Sequence, residues 1–258
     1  MKAHVGSALG IVPVRLGSSR LPRKAMLEEC GQFPLFLHTV FQAAKARLLD
    51  EVVVATDSEE IRQRAKEAGV RALMTGPEAR TGSERCAMAL PALPEAEILI
   101  DVQGDWPEVP PEDLDSLVES LQDPARPSIA TLCCPLDSEE DFQNPHVVKV
   151  VRGRLGQALY FSRAPIPSSK AGVFTGDPGW HQGRRHVGVY GFRKETLARL
   201  PSLSDSPLEE REELEQLRWL ASDLAISVLP SKGRPRGIET REDYEAFLTR
   251  LSPHSGRT

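Results

Sequence analysis

Three stretches of the chain carry residue types that could handle a phosphorylated ligand. The first is Arg15-Leu16-Gly17-Ser18-Ser19-Arg20-Leu21-Pro22-Arg23-Lys24, with four cations in ten residues and small residues that let the backbone bend. Fixed guanidinium and ammonium groups, with backbone N–H donors, are what a polyphosphate requires. The loop lacks the glycine spacing of both the Walker and the dinucleotide motifs. A solvated turn has the same composition, so the residue types leave both readings open. The second stretch is Gln103-Gly104-Asp105-Trp106-Pro107. An Asp beside Gly after an apolar run could hold Mg²⁺ together with substrate phosphates, or could cap a turn. The third combines residues 50–57 with Thr81-Gly82-Ser83-Glu84-Arg85. It could hold a base edge and is equally a helix start. His186, at the head of an apolar run, reads as structural. Glu209, Glu210, Glu212, Glu213 and Glu215 read as the solvated face of a helix whose buried stripe is Leu208, Leu214 and Leu217.

The hydrophobic pattern says what must position these groups. Apolar runs at 8–14, 51–55 and 97–102 fit strands buried on both faces of a parallel sheet. Helical spacing predicts helices over 34–46, 58–68, 81–90 and 110–121, with Ser58 opening the second and Gly69 closing it. That alternation predicts helices on both sheet faces. In such sheets ligands bind beyond the carboxyl ends of the strands. The basic loop follows the first run and Asp105 follows the third. Further on, short strands are expected at 129–134, 146–151, 158–161, 187–192 and 225–229, with helices at 207–220 and 241–251. Residues 163–185, rich in Pro, Gly and Ser, read as a long surface loop, and the tail from 252 as frayed. No repeat or linker appears, so a single domain over 1–258 is expected.

Bulk properties narrow the function classes. The 258 residues are 40% hydrophobic and 27% charged with a net charge of -5, which is globular and argues against a nucleic-acid partner. No run approaches the roughly 20 apolar residues of a membrane helix. Cys30, Cys86, Cys133 and Cys134 form no C-x-x-C pair and read as reduced, mostly buried thiols of a cytoplasmic protein. Cys133 and Cys134, adjacent in an expected strand, should point to opposite faces.

Taken in order, the motifs resemble the CMP-Kdo synthetase family, the 3-deoxy-manno-octulosonate cytidylyltransferases, over about residues 11–251. The carriers are Pro13-x-Arg15 through Arg20-Leu21-Pro22-x-Lys24, then Val54-Ala55-Thr56-Asp57, Thr81 through Arg85, and Val102-Gln103-Gly104-Asp105-x-Pro107. Asn144-Pro145, Val148-Lys149-Val150-Val151, Ala158 through Pro167, Arg185 through Gly191, Ser206-Pro207-Leu208-Glu209 and Leu214 through Arg218 continue the order. The resemblance implies a three-layer, Rossmann-like α/β fold of the nucleotide-diphospho-sugar transferase type. Its sheet would be mixed and mostly parallel, with an antiparallel dimerisation excursion over 158–193. It implies a Mg²⁺-dependent homodimer of the cytoplasm, serving lipopolysaccharide or surface-glycan synthesis. The reaction would be attack of the anomeric hydroxyl of a Kdo-like sugar acid on the α-phosphorus of CTP, with loss of pyrophosphate. By similarity Arg15, Arg20 and Lys24 would bind the triphosphate, and Thr81, Gly82 and Ser83 the cytosine. Arg15, Lys24 and Asp105 would be catalytic, and Asp105 and Glu239 would hold the metal. Gln103, Arg163, His186, Tyr190, Glu215 and Gln216 would line the sugar site. Such a reaction depends on positioning and charge neutralisation, and needs no covalent nucleophile.

Departures from the family pattern cluster around the same residues. The usual Leu-Pro-Gly-Lys-Pro is Leu21-Pro22-Arg23-Lys24-Ala25, which removes easy access to positive φ; Arg23 is expected to point to solvent. Asp101 stands where the family has Asn, and Trp106 where it has Glu. Glu239 replaces the second metal Asp, moving the carboxylate by about 1.5 Å, one C–C bond. These changes leave three readings: an adapted Kdo enzyme, an enzyme for another or amino-substituted sugar acid, or a silent nucleotide-binding relative.

Overall fold

The computed structural model describes residues 7–17, 21–29, 31, 33–168 and 183–251. The three β-branched runs form β1 (Ser7–Val14), β2 (Glu51–Thr56) and β4 (Ala96–Val102). A further strand, β3 (Ala72–Met74), pairs with β2. These four are parallel neighbours in the order β3-β2-β1-β4. The sheet continues through β8 (Arg184–Arg193), β5 (Ile129–Pro135) and β9 (Ile226–Pro230). β8 runs antiparallel to both β4 and β5, while β5 and β9 are parallel. A hairpin of β6 (Lys149–Arg152) and β7 (Ala158–Ser162) joins the sheet by pairing β6 with β8.

The mixed α/β class is as expected, but the expected excursion over 158–193 divides. β7 belongs to the appended hairpin, whereas β8 runs between β4 and β5 in the main sheet. The strand escaped the pattern at its start because Arg184, Arg185 and His186 look polar, although Arg185 and His186 are buried. Part of the expected 163–185 loop, and the tail from 252, lie outside the described residues.

Side chains of β1 alternate between two cores. Ala8, Val12 and Val14 pack with α1 (Leu35–Ala43), α2 (Glu59–Glu67) and α4 (Pro111–Gln122). Leu9 and Ile11 pack with α3 (Gly82–Ala89), α6 (Lys194–Arg199) and α8 (Gln216–Ala221). Cys134 and Cys133 divide the same way. Each large apolar side chain so buried contributes about 1.5–3 kcal/mol. Helix ends follow local chemistry: Ser58 Oγ caps α2, and Gly69, at φ 73, closes it in the left-handed conformation glycine favours. The short α5 (Glu139–Gln143) and α6 escaped the sequence pattern.

The helix expected over 207–220 is broken. α7 (Pro207–Glu212) ends at Glu213, whose φ is 52, and α8 begins only at Gln216. Leu214 and Leu217 are buried, but Leu208 is 46% exposed. A last helix, α9 (Arg241–Leu251), packs Tyr244 and Phe247 against Leu21, Leu35 and Ile238. It thereby ties the basic loop to the segment carrying Glu239.

Candidate active site

Because β1 and β4 are adjacent and parallel, the loops at their carboxyl ends open side by side. Between them lies a cleft with two lobes. The larger, about 300 Å³, is lined by Arg15, Lys24, Gln103, Asp105 and Glu239 among others. The smaller, about 110 Å³, is lined by Arg15, Arg80, Thr81, Gly82, Arg85 and Gln103 among others. Arg15 and Gln103 therefore stand at the waist between them.

In the larger lobe Lys24 opens a single 3₁₀ turn, Lys24–Met26. The preceding Arg23 has φ 55, the conformation a glycine takes easily; for an L-residue it costs about 1–2 kcal/mol. Its exposed side chain turns away from the cleft to pair with Glu60 of α2. Lys24 Nζ donates to Asp105 Oδ2 at 2.5 Å and to the Ile238 carbonyl oxygen at 2.8 Å. The Ile238 N–H donates in turn to the Asp105 carbonyl at 2.9 Å, so Asp105 and the segment leading to Glu239 are stitched together. The N–H groups of Glu239 and Thr240 donate to Asp243 Oδ2 in the first turn of α9. Trp106 fills the space between β8 and this segment: a Cβ added to Gly188 or Gly237 would approach its indole to 3.2 or 3.1 Å. A side chain at either position would have to push the ring back by a few tenths of an ångström.

The residues here fit a divalent cation. Asp105 and Glu239 offer hard carboxylate oxygens, and a positive charge, the Lys24 ammonium, already sits where a carboxylate and a carbonyl oxygen converge. Among the described residues no group of three or more His, Cys, Asp or Glu could hold a metal. Two carboxylates completed by phosphates and water are what Mg²⁺ uses, rather than an all-protein cage.

In the smaller lobe Thr81 Oγ1 accepts from the Glu84 N–H at 3.3 Å and caps α3. Gly82 is the next residue, and a Cβ there would lie 2.2 Å from Gln103 Nε2. The Arg80 guanidinium pairs with Glu84 and Asp205. Arg85 is buried, pairing with Asp57 at 3.0 Å and donating to Thr75 Oγ1 at 2.7 Å. Residues 57 and 81–85 are thus brought together as the sequence suggested.

The structure gathers Arg15, Lys24, Thr81, Gly82, Gln103, Asp105 and Glu239 around the cleft. Arg20 lies outside the described residues. Ser83, Arg163, His186, Tyr190, Glu215 and Gln216 line neither lobe. Arg163 is spent on backbone: its guanidinium donates to the carbonyls of Glu212, Pro145 and Glu213. His186 is buried in β8, where Nε2 lies 3.0 Å from Thr131 Oγ1 and the ring packs on Phe161 and Tyr190. Burial pushes its pKa down to about 3, so the imidazole is neutral. Tyr190 packs edge-on to Trp219, and its hydroxyl has no hydrogen-bond partner among the described residues. Gln216 is buried at the start of α8. Glu215 is not on a solvated face: Ser83 Oγ donates to Glu215 Oε2 at 2.5 Å, and burial raises its pKa. Beside it Asp101 is 1% exposed, and burial, then the charge of Glu215, lifts its carboxyl well above the usual range. Sequence reasoning missed Arg80; its place immediately before the Thr-Gly-Ser turn was the available signal.

A cation-lined cleft at the carboxyl ends of parallel strands, with two carboxylates in one lobe and an adjoining polar lobe, suits a phosphorylated ligand. A family model described as cytidylyltransferase matches residues 9–226. The 3-deoxy-manno-octulosonate cytidylyltransferase of Nitratidesulfovibrio vulgaris is 39% identical over 250 residues, covering 96% of this chain and 97% of the relative. That of Leptothrix cholodnii is 44% identical over 243 residues, covering 91% and 88%. A solved CMP:2-keto-3-deoxy-manno-octonic acid synthetase complexed with CTP superposes with a TM-score of 0.85 at 33% identity, covering 95% of this chain and 98% of its own. The fold is shared more widely: a 4-diphosphocytidyl-2C-methyl-D-erythritol synthase of Anaerococcus prevotii gives 0.62 at 14% identity, covering 95% and 96%. The chain belongs to the 3-deoxy-manno-octulosonate cytidylyltransferase family.

Proposed function

We propose that the chain transfers CMP from CTP to the anomeric hydroxyl of 3-deoxy-manno-octulosonate. The observation that carries this reading is the two-lobed cleft, with Arg15 and Lys24 in the lobe that holds Asp105 and Glu239, and Thr81 and Gly82 in its neighbour. The triphosphate suits the first lobe and the cytosine the second. In the reaction the sugar oxygen bonds to the α-phosphorus, the bond from that phosphorus to the bridging oxygen of pyrophosphate breaks, and the hydroxyl proton is released. Negative charge grows on the leaving pyrophosphate. Arg15 and Lys24 stabilise it from fixed positions, which lowers the barrier without reorganisation. Lys24 also orients Asp105, to which it is bonded. Mg²⁺ held by Asp105 and Glu239 would supply further charge neutralisation and acidify the attacking hydroxyl. The enzyme would act as a cytoplasmic homodimer in the synthesis of surface glycans. Among the described residues no helix is long and apolar enough to cross a membrane.

The test is pyrophosphate release by purified protein with CTP, Mg²⁺ and 3-deoxy-manno-octulosonate, against omissions of each and against ATP, GTP and UTP. Release that requires both substrates and favours CTP is expected. No release with this acid or with an amino-substituted analogue overturns the proposal.

A further inference from the structure

Gln103 lines both lobes of the cleft, and its amide has two chemically opposite ends. Which end faces a ligand depends on what holds the other. Here Gln103 Nε2 donates to Asp101 Oδ1 at 2.8 Å. The two side chains lie two residues apart, on the same face of the strand and its continuation. Gly82, which lines the smaller lobe, lies against the amide: an added Cβ would meet Nε2 at 2.2 Å and Oε1 at 2.9 Å. Nε2 is therefore committed to Asp101, and the carbonyl oxygen is the end of the amide left for a ligand.

Asp101 does little else for the scaffold. It is buried in β4 opposite Tyr190 of β8, and among the described residues its carboxyl meets, besides Gln103, only the weakly donating thiol of Cys86. The groups that face it are the Cys86 thiol, Glu215, the Tyr190 hydroxyl and Asp105, and none of them carries a positive charge. A buried carboxyl in such company is costly, and an apolar residue would serve the core of β4 better. A carboxyl oxygen can accept the amide hydrogen whether or not the acid is ionised.

We infer that Asp101 is a positioning residue: it holds the Gln103 amide with its oxygen toward the cleft, so that the waist presents a hydrogen-bond acceptor to a ligand hydroxyl. The inference rests on the proposed use of the cleft for CTP and a sugar acid. It goes further in assigning a role to a residue that no cleft contact identifies, and in fixing the polarity of the group at the waist.

A double-mutant cycle tests it. Asp101→Leu should lower kcat/KM at least ~10-fold, the loss expected when a polar contact is left unmade, while the melting temperature holds or rises. Asp101→Asn, which keeps the carbonyl acceptor, should stay within about threefold of the parent. In a Gln103→Ala background Asp101→Leu should cost nothing further. Asp101→Ala, which cannot overpack, carries the same cycle if the leucine variant does not fold. CTP affinity by calorimetry is measured on every variant. A parent without turnover would then sink the proposed reaction, while the binding cycle still judges the Asp101–Gln103 coupling. Additive losses in both readouts, unchanged kinetics in Asp101→Leu, or activity that falls only in step with melting temperature would overturn the inference.

Discussion

The open wall of the cleft and the buried polar group behind it are built on the same strands but obey different rules. At the wall, Arg15 is exposed, and Lys24 and Asp105 keep 19% and 25% of their side-chain surface. The partners of Lys24 and Asp105 are charged or backbone groups met across a loop, and water remains available to them. Behind the wall, Asp101, His186, Tyr190 and Gln216 are buried. There the low dielectric moves pKa values: down for His186, up for Asp101, Tyr190 and Glu215. The residues proposed for the nucleotide therefore lie on the surface of the described cleft. Of the side chains assigned by resemblance to the sugar, Gln103 lines the cleft, Arg163 is tied to carbonyls, and His186, Tyr190, Glu215 and Gln216 lie behind the wall.

The heaviest loss should come from the wall. Lys24→Met removes the cation from Asp105 and from the phosphate lobe, and should cut kcat/KM by about 10²–10³-fold, as loss of a fixed transition-state donor does. Steady-state kinetics checks this, and an equal loss in melting temperature would erase the contrast. Next, Gly82→Ala places a methyl group against Gln103 at the waist. Overpacking of about 2 kcal/mol, or roughly thirtyfold in kcat/KM, is expected, with cytidine-nucleotide affinity as the readout.

The buried group should respond to pH instead. His186 has a folded pKa near 3 against an ordinary 6.5. Below pH 6.5 the unfolded chain takes up a proton that the folded chain refuses, so this contribution to stability falls as the pH drops and is constant above. Relative to His186→Gln, the parent should lose about 2 kcal/mol between pH 7 and pH 5. Denaturant midpoints at the two pH values measure the difference. The mildest change is expected for Arg23→Gly. It relieves the left-handed residue and gives up an exposed ion pair, for a net gain of about 1 kcal/mol in chemical denaturation.

Much of the wall was legible in the sequence, because its parts come directly after strands whose apolar runs are unmistakable. β1, β2 and β4 announce themselves through Ile11, Val12, Val53, Val54, Leu99 and Ile100, and a loop that leaves a strand in the chain must also leave it in space. Three-residue β3 is too short for a period to show. The break at Glu213 was invisible because long-range contacts impose it: Glu212 accepts from Ser162 and Arg163, about fifty residues earlier in the chain. Glu215 has the sequence context of one more surface carboxylate, and only the fold brings Ser83 to donate to it. Lys24 and Asp105 were each singled out, but their bond spans 81 residues. The amide of Gln103 was likewise legible as a ligand group, while its orientation came only with Asp101 behind it.

A crystal structure with CTP bound would show most directly whether one wall holds the whole nucleotide. The triphosphate is expected within hydrogen-bond distance of Arg15 and Lys24, with the cytosine against Thr81 and Gly82. A triphosphate seated in the Thr81 lobe, or a nucleotide bound away from Lys24 and Asp105, would contradict that assignment.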